Sequence, residues 1–194
     1  MILSDGEIKA ALLRKDIVID PSPGEEQYTT SALDLILGAE VLEPKTQSEL
    51  GTEEPTGVER PLIIDPGNID VKGFLQKYSK PLPTEPDGSV VIRPGKFVLG
   101  ITREFVELPR KSKIAARVEG RSTLARLGLV VHLTAPTIHS GFGGHIVLEM
   151  CNFGNFALRL YPGRLRICQL VFERVGRTPK GPIKTKYASQ KAIR

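Results

Sequence analysis

Apolar positions along this chain fall first at helical spacing and then, for most of its length, in short strand-like runs. Ile8, Ala11 and Leu12 share one helical face behind Ser4 and Glu7, whose three-residue separation is that of a capping box, so the pattern predicts a helix that starts at Ser4 and ends at Lys15 and Asp16. Ile17-Val18-Ile19 then reads as a short strand before a Pro/Gly turn, and residues 31–38 as an apolar strand broken by one acid, Asp34. Residues 42–70 are rich in Pro, Gly, Glu and Thr and read as a long surface excursion. From Ser89 onward the runs recur at 90–92, 97–101, 114–118, 129–133, 146–150, 158–160 and 167–172, separated by turns such as Arg93-Pro94-Gly95-Lys96 and Tyr161-Pro162-Gly163-Arg164. One brief helix is predicted near Ser122 to Arg126. No internal repeat is present. Many short strands behind a helical start predict a mainly β barrel or sandwich.

Composition narrows the class. At 194 residues the chain is expected to form one domain, 1–194, able to bury a substantial core. No apolar stretch approaches the ~20 residues that cross a bilayer. The start of the chain lacks the basic and apolar regions of a signal peptide, so a cytoplasmic protein without a membrane partner is expected. Cys151 and Cys168 are too few for a disulfide framework and are expected to be buried reduced thiols. The formal net charge of +5 is uneven: Arg174, Arg177, Lys180, Lys184, Lys186, Lys191 and Arg194 end the chain with no acid among them. That tail suits a phosphorylated small molecule or simple solvation better than nucleic acid, since Tyr187 is its one aromatic.

The chemistry concentrates between Arg117 and Leu129, where two glycines, two hydroxyls and three arginines sit in a turn-to-helix passage suited to cradling a polyphosphate. Some twenty residues on, Glu149 interrupts the apolar run 146–150. An anion cradle and an acid in a buried strand point to a nucleotide site with acid/base chemistry beside it. The plainer readings are that Glu149 pairs with Arg166 or Arg159, that Arg121 and Arg126 form interface ion pairs, that Ser122 caps the short helix, that Asp34 is structural, and that Gln169 is an edge-strand amide. The His-x-Glu and Pro-Cys-x-x-Cys pattern of zinc deaminases is missing, so any water has to be activated by a side chain.

Taken in order, Ser31-Ala32-Leu33-Asp34-Leu35, Pro94 to Gly100, Glu107-Leu108-Pro109, Arg117 to Leu129, His132-Leu133-Thr134-Ala135, Gly141 to Gly144, Val147-Leu148-Glu149 and Pro162 to Leu170 resemble the motifs of the dCTP deaminases, in the trimeric dUTPase-like superfamily. The resemblance spans nearly the whole chain, least at 42–70. It implies a distorted β-barrel of the β-clip kind with a short N-terminal helix and small helical insertions, a homotrimer with active sites at its interfaces, and zinc-independent conversion of dCTP and water to dUTP and ammonia. By the same resemblance, Glu149, Ser122, Arg126 and Ala135 are catalytic, and no residue ligates a metal directly. Arg121, Ser122, Thr123, Leu124, Ala125, Arg126, His139, Val147, Leu148, Gln169, Lys186, Tyr187 and Gln190 bind substrate. Mg²⁺ enters on the triphosphate, and residues 174–194 form a flexible lid over the nucleotide.

Three departures qualify the resemblance. His139 stands where an Asp is common, which argues against a second, pyrophosphate-releasing step. Ile36 replaces a usual Arg, and Gly181-Pro182-Ile183 replaces an upstream Tyr. A bifunctional enzyme forming dUMP, a dUTPase proper and a non-catalytic nucleotide sensor are the alternatives.

Overall fold

The structure, a computed structural model, describes residues 1–46, 48–50, 63–181 and 192–193. Helix α1 (Asp5–Leu13) begins as expected: Ser4 and Glu7 form the capping box, and Ile8 and Ala11 are buried. The strands follow as β1 (Val18–Asp20), β2 (Leu33–Pro44), β3 (Ser79–Pro81), β4 (Val90–Ile92), β5 (Phe97–Glu107), β6 (Ile114–Gly120), β7 (Leu129–Val130), β8 (Thr137–Ile138), β9 (Gly143–Asn152), β10 (Leu158–Leu160) and β11 (Arg166–Arg174). Helix α2 (Val71–Tyr78) precedes β3, and helix α3 (Ser122–Arg126) follows β6.

Nine strands make one sheet in the order β7-β9-β5-β2-β11-β6-β8, with β1 added to β5 and β3 to β2, while β4 and β10 pair separately. The sheet curls because its two long central strands change partners along their length. The first half of β2 pairs with β11 (Leu33↔Leu170) and its second half with β5 (Val41↔Gly100). Register breaks between Leu37 and Val41 on β2, and between Ile101 and Phe105 on β5. Such irregularities bend and twist a strand, here into a half-barrel around the apolar core. Gly38 sits in the first break, where a Cβ would lie 2.8 Å from the Ile101 carbonyl oxygen. The fold is therefore mainly β with short helices, as the apolar pattern and the family motifs predict.

The alternation of β9 sorts its side chains: Ile146, Leu148 and Met150 enter the core, whereas His145, Val147 and Glu149 are half-buried on the opposite face. Leu33, Leu35, Leu170 and Phe172 complete the centre of that core. Cys151 and Cys168 are buried and unbridged.

Several boundaries differ from the sequence expectation. β2 and β5 extend well past their apolar runs, because their second halves mix glycine and polar residues at the register breaks. Leu42–Pro44, expected in an excursion, pairs with β3. Helix α2 went unforeseen: Gly73 and three polar residues dilute it, although Asp70 caps it by accepting the Gly73 N–H at 3.2 Å. Its Val71, Phe74, Leu75 and Tyr78 do carry helical spacing. β7 is shorter than the run 129–133, since the chain leaves the sheet after Val130.

Candidate active site

Glu149 opens onto a cavity of about 450 Å³ that His132, Ala135, His139, Val147 and His145 also line, with Val71 and Leu75 of α2 at its far wall. The backbone N–H groups of Leu133 and of Glu149 itself favour the charged form of the carboxyl. Burial pushes it above the ordinary carboxylate value, against the smaller opposing pull of these N–H groups and of His132. No lysine or arginine among the described residues pairs with it: Arg166 reaches Asp34, and Arg159 reaches Asp87 and Ser89. The ion-paired reading of Glu149 is thus replaced by a half-buried carboxyl facing a cavity. The Nδ1 of His132 beside it is buried with no hydrogen-bond partner.

The segment expected to cradle an anion lies outside this cavity. Tight packing fixes α3: Gly128 follows it at a φ of +91°, and a Cβ there would lie 2.3 Å from the Gly154 nitrogen. Arg121 occupies the cap position of α3 and Ser122 its first turn, so the Ser122 hydroxyl does not cap the helix and instead accepts from Arg126 Nη1 at 3.4 Å. Ser122, Thr123, Ala125 and Arg126 are exposed, whereas the Leu124 side chain is buried in the core. Leu148 is likewise a core side chain. Only the backbones of Leu124 and Leu148 can face a ligand.

Gln169 is not on an edge strand, since β11 lies between β2 and β6. Its Nε2 donates to Asp34 Oδ1 at 2.9 Å, and Arg121 Nε lies 3.2 Å from Asp34 Oδ2. Asp34 is structural as expected, and what it structures is the cradle. None of Arg121, Ser122, Arg126 and Gln169 lines the Glu149 cavity. The expected site residues thus fall in two places: Glu149, Ala135, His139 and Val147 line one cavity, and Arg121, Ser122, Thr123 and Arg126 lie outside it.

Sequence reasoning overlooked two fully buried polar residues behind the cradle, Gln27 and Glu104. Gln27 Nε2 donates to the Asp34 carbonyl at 2.9 Å and to Glu104 Oε1 at 3.2 Å. Gln27 lies in the 3-10 turn Glu25–Gln27 and Glu104 in β5, so neither marks a pattern in its own neighbourhood. Lys186, Tyr187 and Gln190 lie outside the described residues. The proximal part of the expected lid is tied down, as Arg110 Nη2 donates to the carbonyls of Pro179 and Gly181 at 2.8 and 2.7 Å. No group of three or more His, Cys, Asp or Glu gathers into a metal cage among the described residues, and no helix among them is long and apolar enough to cross a membrane.

Comparison with known proteins sets this geometry in context. The model of the family described as dCTP deaminase-like matches residues 2–175. A dCTP deaminase, dUMP-forming, of Methanosphaera stadtmanae is 41% identical over 172 residues, which cover 89% of this chain and 78% of that one. A dCTP deaminase of Rhodospirillum rubrum is 38% identical over 176 residues, covering 89% and 82%. The crystal structure of 2'-deoxycytidine 5'-triphosphate deaminase from Agrobacterium tumefaciens shares the fold, with a TM-score of 0.61 at 21% identity over 90% of this chain. This chain spans about half of that longer one, 48%.

Proposed function

The chain belongs to the dCTP deaminase-like family, and we propose that it deaminates dCTP hydrolytically, with Glu149 as the general acid and base. The observation that carries this reading is a carboxyl raised by burial, unpaired by any lysine or arginine among the described residues and opening onto a nucleoside-sized cavity. A proton-shuttling group needs its ionisation near the working pH, and burial moves Glu149 in that direction. Glu149 takes a proton from water as its oxygen attacks C4 of cytosine. It delivers that proton to N3, then passes the proton of the new C4 hydroxyl to the amino nitrogen, so that the C4–N bond breaks and a uracil nucleotide and ammonia leave.

The remaining residues bind and orient. His139 faces the sugar from the cavity wall, and Val147 with the backbone of Leu148 lines the base. Arg121, Ser122 and Thr123, with the backbones of Leu124 and Ala125, hold the triphosphate through charge-assisted bonds, and Gln169 supports them. Ser122 and the Ala135 carbonyl orient the water, and Arg126 stabilises the charge that develops. Lys186, Tyr187 and Gln190 close over the phosphates. Mg²⁺ arrives on the triphosphate, whose oxygens suit it better than this chain's scattered carboxylates. The separation of cavity and cradle favours a homotrimer in which one copy's cradle completes its neighbour's cavity. Nothing in the site calls for nucleic acid, and a cytoplasmic setting fits nucleotide metabolism.

Two products are chemically open. His139 in place of an aspartate favours release of dUTP. The second reading, onward hydrolysis to dUMP, is favoured by the name of the Methanosphaera relative. Incubation with dCTP and Mg²⁺, followed by ion-exchange separation and assays for ammonia and pyrophosphate, decides between them. Ammonia with dUTP supports the first; ammonia, pyrophosphate and dUMP support the second. Absence of ammonia overturns both.

A further inference from the structure

Arg121 and Arg166 share a single carboxylate. Asp34 Oδ2 lies 3.2 Å from Arg121 Nε and 3.4 Å from Arg166 Nη1, and the Asp34 side chain is only 1% exposed. Oδ2 has ion-pair distances to both guanidiniums but no aligned hydrogen bond to either, whereas Oδ1 is satisfied by Gln169. Arg121 Nη1 also donates to the Arg166 carbonyl at 3.2 Å, which locks the two residues side by side. Arg166 Nη1 further donates to the Glu26 carbonyl. Nε and Nη2 of Arg166 take no partner among the described residues, and its side chain is 38% exposed.

Two guanidiniums around one buried carboxylate leave one unit of positive charge, held rigid by an anion that cannot reach water. An excess charge so placed, beside the exposed hydroxyls of Ser122 and Thr123, is matched by a chain of phosphates rather than by one carboxylate. We propose that Arg166 is a second phosphate-binding arginine, and that Asp34 is the positioning residue that sets Arg121 and Arg166 as one unit. This rests on the reading of the cradle as a triphosphate site. Arg166 stands outside the Arg117–Leu129 stretch, and in the sequence it is a candidate partner of Glu149 rather than part of the cradle. Glu104 and Gln27 support the unit from behind by fixing the β2 backbone at Asp34 and Ile36.

The test is calorimetric binding of dCTP, dCMP and inorganic tripolyphosphate to the full chain, as wild type, Arg166→Gln, Arg166→Lys and Asp34→Asn. Arg166→Gln is expected to weaken dCTP and tripolyphosphate about tenfold, the effect of one lost charge-assisted contact, and dCMP much less. Arg166→Lys restores part of the loss. Asp34→Asn shows the same dependence on phosphate number, and its Tm reports whether it is folded. An equal loss for all three ligands, unchanged tripolyphosphate affinity in Arg166→Gln, or no tripolyphosphate binding by the wild type overturns the inference. Ammonia release from dCTP, measured on the same samples, judges the deaminase reading separately.

Discussion

Glu104, on β5, accepts the backbone N–H of Ile36, on β2, through Oε2 at 2.8 Å. Its other oxygen takes Arg103 Nη2 at 2.8 Å and Gln27 Nε2 at 3.2 Å. The carboxylate thus fills the register break of β5 and satisfies a backbone donor that the bent sheet leaves without a ladder partner. It fixes β2 two residues beyond Asp34, and Asp34 in turn holds Arg121. A buried carboxylate with three donors is tolerated because each contact is made.

Replacing Glu104 with Leu is expected to destabilise the protein by ~2–4 kcal/mol, because the Ile36 N–H and the Gln27 amide lose their acceptor inside the core. Urea unfolding measures this. A loss below about 0.5 kcal/mol, the scale of a surface substitution, contradicts the role assigned to Glu104.

The pH dependence of turnover follows from Glu149. The base must be ionised, so kcat/KM falls on the acid side through a value above 4.5, the carboxyl's ordinary one, because burial raises it. An acid limb at or below 4.5 in the kcat/KM profile speaks against Glu149 as the base.

The same shift affects stability with a definite sign. A carboxyl raised in the folded state does not oppose folding below 4.5, and opposes it increasingly as pH rises through the raised value. Glu149→Gln removes that opposition. Its Tm is expected to exceed the wild type by about 1–3 °C near neutral pH, the gain being small because solvent still reaches the carboxyl. The two are expected to converge near pH 4, by differential scanning fluorimetry. A lower Tm for the variant at neutral pH contradicts the burial argument.

Gly128→Ala combines a positive φ of +91° with a clash against the Gly154 backbone. It is expected to lose more than ~1 kcal/mol and to weaken nucleotide binding, because α3 and its arginines shift together. Thermal melts and nucleotide titration test both. Wild-type behaviour in both places the cradle's precision elsewhere.

Mixing tests whether the half-sites meet between copies. Glu149→Gln lacks the base and Arg126→Ala lacks the cradle's arginine, so each alone is expected to be nearly inactive. Refolded together in equal amounts, they regain up to about a quarter of wild-type activity, from sites that draw an intact cavity and an intact cradle from different copies. No regain places both halves in one copy.

The parts legible in the sequence are those set by local periodicity. The capping box at Ser4 and Glu7, the α3 helix and the apolar run of β9 all follow from neighbours within a few residues. Helix α2 escaped because its apolar stripe is short and carries Gly73. The extents of β2 and β5 escaped because register breaks put glycine and charge inside strands. Glu104 and Gln27, 77 residues apart, mark no pattern until the sheet brings them together. The Asp34 and Arg121 ion pair is of the same kind: each residue was noticed, but only the fold makes one the holder of the other.

The most direct test compares ammonia release from dCTP by the wild type and by Glu149→Gln, with dCTP binding measured on both. The account predicts that the variant binds dCTP as the wild type does and loses turnover by at least ~10²-fold, the lower range for removing a general acid/base. Turnover within a few-fold of the wild type contradicts it.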